Sequence, residues 1–443
     1  MALSGLDIYK LLPKTNCKQC GFPTCLAFAM QLAAKKVALD KCPFVTEEAK
    51  AALEGASQPP IKLVSFGWGD KKVEVGNETV LFRHEETFYH PTGIGVLLED
   101  TLSAQELSGK IARINNLAFE RVGKHIEIDI VALKQINKNA LEFANFVKEV
   151  SGKVKFALLL LVKDAESARL SLQGIKDKRP LLYSAHSENY EEMAAIAKSF
   201  DVPLVVYEKR LEALSELTQK IKSLGVSDLI LDTGAKPIAD KIFELTQIRR
   251  LAIKKNFRPL GYPTIAFTKS DDASLEAIEA ATYIDKFASI VIMKNIEPEC
   301  MLSVLTTRQD IYTDPQQPTQ VEPKAYEIGS VNSNSPVLIT TNFSITYFTV
   351  ASEVESSRVP SYLVSVDTEG MSVLTAWAAE KLTSEKIIEA LKSADLENKV
   401  THRKLILPGY VSVLSGKLQD ESGWEVIVGP KEAANIPAFF KTL

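Results

Sequence analysis

The sequence predicts a multidomain α/β protein with a small helical module, a central TIM (β/α)8 barrel and a C-terminal Rossmann-like α/β domain. Three observations support this prediction. Four of the five cysteines lie near the start of the chain, apolar runs then alternate with helical patterns, and a polar, proline-rich stretch precedes a final α/β pattern. At 443 residues, the chain is long enough to bury several cores.

Composition and charge indicate a soluble globular protein. Hydrophobic residues make up 46% and charged residues 24% of the chain, and the net charge is −4 with a pI near 5.9. This balance predicts neither nucleic acid nor an anionic membrane as a partner. The N-terminus lacks a signal-peptide pattern, and the longest apolar run, Phe156–Val162, is too short to cross a bilayer. A reducing cytoplasm is therefore the predicted compartment.

Residues 1–57 are predicted to form the helical module. A short helix comes first, and Thr24 can cap a second helix over residues 25–36. So small a module has a thin core, and a metal centre is expected to hold it together. Residues 55–60 are predicted to be a linker. The apolar positions of the two helices are Leu6, Ile8, Leu11, Leu12, Leu26, Phe28, Ala29, Met30 and Leu32.

The cysteine spacing predicts the metal centre. Four cysteines follow the pattern C-x2-C-x4-C-x16-C, which brings three thiolates to one loop and adds a fourth to close a tetrahedron. A 4Fe–4S cluster is favoured because structural zinc generally uses two cysteine pairs, whereas only one pair is present here. Pro43 also follows the last cysteine, as in bacterial ferredoxins. Zinc and two disulfides remain alternatives. The predicted ligands are Cys17, Cys20, Cys25 and Cys42.

Residues 61–312 are predicted to form the barrel. Most of the apolar runs are continuous, as in strands buried on both faces of a parallel sheet, and eight such strands close a TIM barrel. Residues 61–125 are less regular, and an extra hairpin is expected there. The predicted strands are Thr79–Arg83, Ile126–Val131, Lys155–Val162, Pro180–Ser184, Pro203–Tyr207, Asp228–Asp232, Pro263–Thr268 and Ile290–Met293, and the helices between them include Asn137–Val150, Tyr190–Phe200, Arg210–Leu224 and Pro237–Lys255.

The polar segment 313–335 is predicted to be a second linker, and residues 336–443 a compact α/β domain. Each strand of that domain ends in a loop of glycine and small hydroxyl residues. Ligands of open α/β sheets bind at such strand ends, and small side chains let a large flat ligand lie against the backbone. Ordinary turn chemistry is the alternative explanation. The predicted strands are Val337–Thr341, Tyr362–Val366, Lys404–Leu407 and Glu425–Val428, with the main helical region at Ser372–Ala394.

The sequence predicts no catalytic residue set. It contains no P-loop, no G-x-S-x-G elbow and no H-E-x-x-H motif. His186, Asp232 and Lys269 fall at barrel strand ends, where barrel enzymes place catalytic groups, but strand ends need polar caps in any case. His402 and the lone thiol of Cys300 are expected to be structural.

Together, the cysteine array, the barrel and the C-terminal loops resemble the large (gamma) subunit of the corrinoid iron–sulfur protein family of the acetyl-CoA (Wood–Ljungdahl) pathway. The resemblance covers essentially the whole chain, and the cysteine array is its most specific part. The segments that carry it are Lys14-Thr-Asn-Cys-Lys-Gln-Cys-Gly-Phe-Pro-Thr-Cys25, Cys42-Pro43, Thr340-Thr-Asn-Phe-Ser344 and Ser372-Val-Leu-Thr-Ala-Trp377.

The resemblance implies a methyl-group carrier of anaerobic carbon fixation. Its cobamide, as Co(I), would accept a methyl group from a methyltetrahydrofolate-dependent methyltransferase and deliver it to the nickel centre of acetyl-CoA synthase/CO dehydrogenase. The 4Fe–4S cluster, supplied by a low-potential electron donor, would return Co(II) to Co(I). A small TIM-barrel subunit would complete a heterodimer. The implied cobamide contacts are Thr341, Asn342, Phe343, Thr346, Gly370, Met371, Ser372, Val373, Leu374, Thr375, Pro408, Gly409, Tyr410, Ser415, Gly416, Gly429, Ala433 and Ala434.

The position of the histidines fits this function. Many cobalamin-binding domains place an imidazole on cobalt with Asp-x-His-x-x-Gly, but the His-x-x-Gly here begins at His90, has Phe88 at the Asp position and lies outside the α/β domain. Without a strong lower ligand, four-coordinate Co(I) is easier to reach because no bond breaks on reduction. Iron–sulfur potentials extend down to roughly −700 mV, so a cluster on the same chain can return the electron.

Two functions of other classes remain open at this point. The chain could be a 4Fe–4S electron-transfer protein without a corrinoid, or its barrel could itself be a pterin-dependent methyltransferase. The visible spectrum of anaerobically purified protein separates the first of these from a corrinoid carrier, because a corrinoid shows bands that respond to methylation and reduction.

Overall fold

The computed structural model describes residues 5–33, 37, 41–46, 59–234, 236–314 and 317–443. Its contacts divide the chain into two compact units. The first comprises Met1–Leu117 and Glu127–Tyr312, and the second comprises Ala118–Ile126 and Thr313–Leu443. Within the described residues, no helix is both long and apolar enough to cross a membrane. The predicted linker at 55–60 falls mostly outside the described residues.

The N-terminal module contains the two predicted helices, α1 (Gly5–Leu11) and α2 (Cys25–Ala33). The hydroxyl of Thr24 accepts a hydrogen bond from the backbone N–H of Ala27 at 3.1 Å, which confirms the predicted cap. Residues 34–36, predicted to continue α2, lie outside the described residues. The core of the module is small and includes two cysteines. Its buried members are Ile8, Leu12, Cys25, Phe28, Ala29 and Cys42.

The first unit confirms the predicted barrel. In the part of the chain that the structure describes, eight parallel strands pair in chain order, and the first also pairs with the last. The Leu231 N–H donates to the Pro263 carbonyl at 2.8 Å and closes the ring between the sixth and seventh strands. The strands are β3 (Gly93–Glu99), β6 (Ile130–Lys134), β7 (Ala157–Leu161), β8 (Leu181–Ala185), β9 (Leu204–Tyr207), β10 (Leu229–Asp232), β11 (Ile265–Phe267) and β12 (Ile290–Met293).

Helices follow the barrel strands, as the alternating pattern predicts. The predicted helices at 190–200, 210–224 and 237–255 agree with the structure to within one residue at each end. The helices of this unit are α3 (Ala104–Asn115), α4 (Ala140–Ser151), α5 (Ala165–Gly174), α6 (Tyr190–Phe200), α7 (Leu211–Ser223), α8 (Ile238–Lys255), α9 (Ala273–Asp285) and α10 (Pro298–Ile311).

The start of the barrel differs from the prediction. Thr79–Arg83 forms no strand, and β3 is the first barrel strand instead. Strand β3 contains two glycines, which have low strand propensity, so the sequence does not predict it. In the structure, a Cβ at Gly95 would lie 2.5 Å from Cδ1 of Ile292, which explains why glycine is found there. The predicted strand Ile126–Val131 spans parts of two strands, because β5 (Lys124–Glu127) ends before β6 begins.

The expected extra hairpin is present and caps the barrel. Strand β1 (Val64–Phe66) pairs antiparallel with β2 (Val73–Val75). Phe66 and Val75 are fully buried and pack in one apolar cluster with barrel residues such as Ile130 and Leu159. The hairpin therefore covers one end of the barrel interior.

The second unit is built on an open sheet. Within its described residues, five strands are ordered β13 (Ala325–Ile328), β15 (Ser361–Val366), β14 (Val337–Thr341), β16 (Lys404–Leu407) and β17 (Glu425–Val428). All pairs are parallel except β13 with β15. The helices are α11 (Ser344–Ser357), α12 (Val373–Ala378), α13 (Ser384–Ser393), α14 (Leu396–Lys399), α15 (Ser415–Ser422) and α16 (Ile436–Phe439).

Three features of this unit correct the sequence prediction. Segment 313–335 is not all linker, because β13 joins the sheet and Val321 is buried. The predicted helical region 372–394 is divided between α12 and α13. The loop predicted after strand Val337–Thr341 is short, because α11 begins at Ser344. A further hairpin, β4 (Ala118–Arg121) with β5, also groups with this unit through Ala118–Ile126.

The packing at Gly95 makes a testable prediction. Gly95→Ala should lower the free energy of unfolding by about 1–3 kcal/mol, because its Cβ would also lie 3.0 Å from Cβ of Ile130 in a closed core. Gly109→Ala in the exposed part of α3 is the matched control. Its Cβ meets nothing within 4 Å, and it should raise stability by about 0.5–1 kcal/mol. Urea denaturation followed by circular dichroism measures both, and equal shifts would contradict the packing argument.

Candidate functional site

A cavity of about 340 Å³ lies in the second unit at the carboxyl ends of β14 and β16. These two strands are neighbours in the sheet, but their following helices lie on opposite faces, which is the position where open α/β sheets bind ligands. The walls come from both strands, from α11, from the start of α12 and from the segment after β17. The lining residues are Leu338, Ile339, Thr340, Ile345, Thr346, Thr349, Val350, Ser372, Val373, Leu374, Ile406, Leu407, Pro408, Tyr410, Gly429, Pro430, Lys431, Glu432, Ala433 and Ile436.

The structure brings part of the predicted residue set to this cavity. The predicted residues that line it are Thr346, Ser372, Val373, Leu374, Pro408, Tyr410, Gly429 and Ala433. The predicted residues outside its lining are Thr341, Asn342, Phe343, Gly370, Met371, Thr375, Gly409, Ser415, Gly416 and Ala434. Sequence reasoning examined only the loops, so it missed the apolar wall from strands and helix. In the sequence, these wall residues look like ordinary core positions, so no local signal identifies them.

The cavity is apolar with a few hydroxyl groups. Leu338, Ile406 and Ile436 form its buried wall. Thr340 is 1% exposed, and its hydroxyl has no hydrogen-bond partner. At the rim, the Tyr410 hydroxyl donates to the carboxylate of Glu432, which raises the pKa of Tyr410. An apolar cavity with few polar groups suits a large ligand that is held mainly by contact area.

A second candidate site is the cysteine module. All five cysteines of the chain are free, so the disulfide alternative is not formed in this structure. Cys25 and Cys42 are buried, whereas Cys17 and Cys20 are half-buried. Among the described residues, no three His, Cys, Asp or Glu side chains converge as a metal site. The support for a metal centre here is therefore the donor set and the loop backbone.

The backbone of the cysteine loop has an unusual conformation. Lys14, Asn16, Lys18 and Gly21 all have positive φ, between 49° and 84°. Such left-handed residues turn N–H groups inward, and concave N–H surfaces hold anionic groups, iron–sulfur clusters among them. The Asn16 N–H already points at Sγ of Cys25 at 3.4 Å, and the Asn16 side chain accepts the Cys25 N–H at 2.8 Å. The loop thus fits a set of thiolates that share negative charge.

Comparison with known proteins decides the family. A family model described as "CO dehydrogenase/acetyl-CoA synthase delta subunit" matches residues 63–440, and one described as "Putative Fe-S cluster" matches residues 12–44. The corrinoid/iron-sulfur protein large subunit of Moorella thermoacetica is 49% identical over 99% of this chain and 98% of that protein. The chain belongs to the corrinoid/iron–sulfur protein large-subunit family.

A second relative is also similar over the whole chain. The acetyl-CoA decarbonylase/synthase complex subunit gamma of Methanothermobacter thermautotrophicus is 37% identical over 100% of this chain and 99% of that protein. Among solved structures, 7,8-dihydropteroate synthase from Vibrio fischeri ES114 covers 57% of this chain and 100% of its own, with a TM-score of 0.40 and 13% identity.

Exposed apolar side chains lie around the cavity of this large-subunit family member, and we call them the apolar surround. Ile345 and Val413 are 68% and 69% exposed, and Leu374, Trp377 and Tyr410 are also exposed. Large apolar side chains gathered in this way are uncommon on a soluble protein unless they bind something. The surround extends the apolar surface beyond the cavity itself.

Asn342 lies outside the cavity lining, but its side chain holds a loop that leads into the cavity. Its buried side-chain oxygen accepts hydrogen bonds from the N–H groups of Thr368 and Gly370, both at 3.0 Å, and from the Thr368 hydroxyl at 2.9 Å. Its amide donates to Gln320 at 3.0 Å and to Asp367 at 3.2 Å. One side chain therefore holds the loop after β15, which leads directly into Ser372 and the cavity.

The candidate residues of the barrel have structural partners. The buried Asp232 carboxylate pairs with Lys241 at 3.0 Å and accepts the Tyr183 hydroxyl at 2.8 Å. Burial raises the pKa of Tyr183, and the negative charge of Asp232 adds to this shift, so the phenol stays protonated. The His186 backbone N–H donates to the Asn189 side chain at 2.8 Å within a turn. The contacts of Asp232 account for that residue without a ligand, and Nδ1 of the His186 ring accepts the Glu188 backbone N–H at 3.4 Å.

The remaining single candidates are placed as follows. The His402 ring lies 3.0 Å from the Ser335 carbonyl oxygen, which agrees with a structural role. Cys300 is half-buried in α10, and Lys269 is exposed after β11.

The hydrogen bonds of Asn342 make a second prediction. Asn342→Ala leaves the N–H groups of Thr368 and Gly370 without their acceptor, and each buried unpaired group costs about 1–3 kcal/mol. Exchange of these two amides with deuterium, followed by mass spectrometry or NMR, should therefore speed up roughly tenfold or more. Asn398→Ala is the control, because Asn398 is exposed and contacts Asp395 through one surface hydrogen bond. Unchanged exchange at residues 367–371 in Asn342→Ala would show that other contacts hold the loop.

Proposed function

We propose that this chain is the corrinoid-bearing large subunit of a methyl carrier. The observation that carries the proposal is the joint presence, in one chain of the large-subunit family, of the four-cysteine module and the apolar cavity at the carboxyl ends of β14 and β16. Neither an electron-transfer protein nor a barrel enzyme needs that cavity. The printed names of the relatives, a corrinoid/iron-sulfur protein and a subunit of an acetyl-CoA decarbonylase/synthase complex, point the same way.

The cavity fits a cobamide in both chemistry and extent. A cobamide is larger than 340 Å³, so one part of it would fill the cavity while the rest lies on the exposed apolar surround. Ile406 and Ile436 would contact the inserted part, and the unpaired Thr340 hydroxyl provides a polar group at the wall. The loop held by Asn342 would form one edge. Thr375 lies outside the lining, with its hydroxyl 3.0 Å from that of Ser372.

No imidazole is available at the cavity. Of the described residues that line it, none is a histidine. The second unit contains two histidines, and both have other partners. His402 lies against the Ser335 carbonyl, and His125 lies 3.6 Å from Glu120. A corrinoid held at this cavity would therefore meet no imidazole from the described lining residues, and the lack of that strong ligand would favour reduction of its metal.

The cysteine module would hold a 4Fe–4S cluster through Cys17, Cys20, Cys25 and Cys42. When bound, the corrinoid would supply a Co(I) acceptor for a methyl group that passes from a methyltetrahydrofolate-dependent methyltransferase to the nickel centre of acetyl-CoA synthase, and the cluster would supply the electron that returns Co(II) to Co(I). Asn16 and the left-handed loop residues would orient the thiolates and direct N–H groups at them. Because the relative from Moorella thermoacetica is named a large subunit, a small subunit is the partner that we propose, and we propose a cytoplasmic location.

The role of the cluster is tested by Cys20→Ala. Loss of one thiolate should leave methyl transfer intact when the protein starts as Co(I), because no electron is then required. Recovery from Co(II) with a low-potential protein donor should be abolished. Cys300→Ala is the control and should recover normally. Stopped-flow absorbance of the corrinoid bands measures both steps, and normal recovery in Cys20→Ala would refute the reactivation role.

The role of the cavity is tested by Thr346→Trp in the full-length chain. Thr346 lies on α11 and lines the cavity, so an indole there would occupy the space of the ligand. Corrinoid bound per protein, read from the visible spectrum after anaerobic purification, should fall at least tenfold. Ser356→Trp on the exposed side of the same helix is the control and should keep its corrinoid. Full corrinoid content in Thr346→Trp would place the corrinoid elsewhere, and its absence from the unmodified protein would favour the simple electron-transfer function.

A further inference from the structure

The chain passes between its two compact units more than once. It leaves the barrel unit after Leu117, returns to it at Glu127, and leaves it again after Tyr312. The β4–β5 hairpin therefore belongs to the second unit by its contacts, although in the sequence it lies between α3 and β6 of the barrel. The second unit is thus connected to the barrel by more than the segment that follows Tyr312.

The turn of this hairpin holds a valine in a conformation that valine rarely adopts. Val122 and Gly123 join the two strands, and both have positive φ, 55° and 67° respectively. Hairpin turns with positive φ at both central positions favour Asn-Gly, and a β-branched residue in the left-handed region is strained. Such strain persists only where the surrounding structure over-determines it. Contacts of the Val122 side chain are therefore expected to compensate for the strain.

Those contacts lie in the second unit. Val122 packs against the apolar cluster that contains Val321, which is 1% exposed, and Tyr326 packs against the same cluster. Beside it, a Cβ at Gly123 would lie 2.5 Å from Oη of Tyr326 and 3.3 Å from Cβ of Val321. The turn therefore packs closely against β13 and the segment that leads into it, and a larger residue at Gly123 would not fit.

The residues that contact the turn continue to the walls of the cavity. The Val321 N–H donates to the Asn342 carbonyl at 2.9 Å, and the Asn342 side chain holds the loop that leads into the cavity. The ring centroids of Tyr326 and Tyr347 are 4.6 Å apart, and Tyr347 belongs to α11, which forms one wall. Two short series of contacts therefore connect the hairpin to the candidate site.

We propose that the β4–β5 hairpin is a clasp through which the barrel part of the chain binds the second unit non-covalently, with Val122 as its anchor. The strained valine is retained because its apolar contact outweighs the gain of an unstrained turn. Two attachments, the clasp and the segment after Tyr312, restrict the motion of a domain to a hinge, whereas one flexible segment would not. The clasp goes beyond the proposed function, because its contacts involve no ligand.

The test breaks the chain beside the clasp in the full-length protein. A thrombin site inserted after Asp314 allows the covalent connection that follows Tyr312 to be cut. The hairpin stays with the N-terminal piece, and its contacts in β13 stay with the C-terminal piece. Sedimentation equilibrium then measures the dissociation constant between the two pieces. The pieces of the otherwise unmodified protein should remain together at micromolar concentration.

Substitutions at the turn separate packing from turn geometry. Asparagine suits the turn better than valine but loses the apolar contact, so Val122→Asn should weaken binding of the pieces at least about tenfold. Val122→Ile keeps an apolar side chain and should weaken binding less. Gly123→Phe should weaken it as well, because the space beside Tyr326 is filled. Lys124→Gln, at an exposed position of β5, is the control and should leave binding unchanged.

Amide exchange of the uncut protein gives an independent measurement. In Val122→Asn, exchange within residues 321–328 should speed up several-fold, because the segment loses its packing partner. Separation of the unmodified pieces, equal binding in Val122→Asn and Lys124→Gln, or equal weakening by Val122→Asn and Val122→Ile would overturn the proposal. These measurements require no ligand, so a protein without corrinoid would refute the proposed function and not the clasp.

Discussion

The strand order of the C-terminal sheet is the constraint on which the candidate site depends. Strand β14 lies between β15 and β16, so the chain leaves β14 in one direction and β16 in the other. The helix after β14, α11, packs in the cluster of Leu338 and Tyr347 on one face. The helix after β16, α15, packs with Trp424 on the other face. No helix can cover the gap between two such strands at their carboxyl ends, and the cavity occupies that gap.

Around this gap, glycines let two loops approach each other closely through their backbones. Loops 408–410 and 429–431 touch through their main chains, because a Cβ at Gly409 would lie 2.6 Å from the Gly429 carbonyl oxygen. Asn342 holds the opposite edge through its amide. The strand-end loops from which the sequence predicts a ligand site thus also bring the walls of the cavity together. The apolar surface of the cavity comes from the strands, from α11, from Leu374 at the start of α12 and from loop residues such as Pro408.

The N-terminal module follows a different physical rule. Its described core contains few residues, and two of them are cysteines. A core of this size gains little from apolar burial, so metal–thiolate bonds would supply much of its stability. The same bonds would concentrate negative charge in the loop, where the Asn16 N–H lies 3.4 Å from Sγ of Cys25. The four cysteines would therefore serve both the stability of the module and its metal centre.

Much of the fold follows from local pattern. The sequence predicts the barrel class, strands β14, β16 and β17, and the grouping of four cysteines in one module. Apolar periodicity and cysteine spacing are local properties, so they can be read without the fold. Strand β3 is missed, since its glycines contradict strand propensity, and only the neighbouring Ile130 and Ile292 explain them. Strand β13 is missed because an edge strand can be polar and short.

Less of the candidate site than of the fold can be predicted from the sequence, because the site depends on tertiary contacts. Residue types at strand ends predict a site at the edge of the sheet where the cavity lies, and eight of the predicted loop residues line that cavity. The wall residues Ile345, Ile406 and Ile436 are far apart in the chain, and each by itself looks like ordinary core. Asn342 is predicted as a ligand contact but holds a loop, because its five hydrogen bonds depend on which strands are neighbours. Periodicity and spacing are carried by neighbouring residues, whereas a cavity depends on strand order, and strand order exists only in the folded chain.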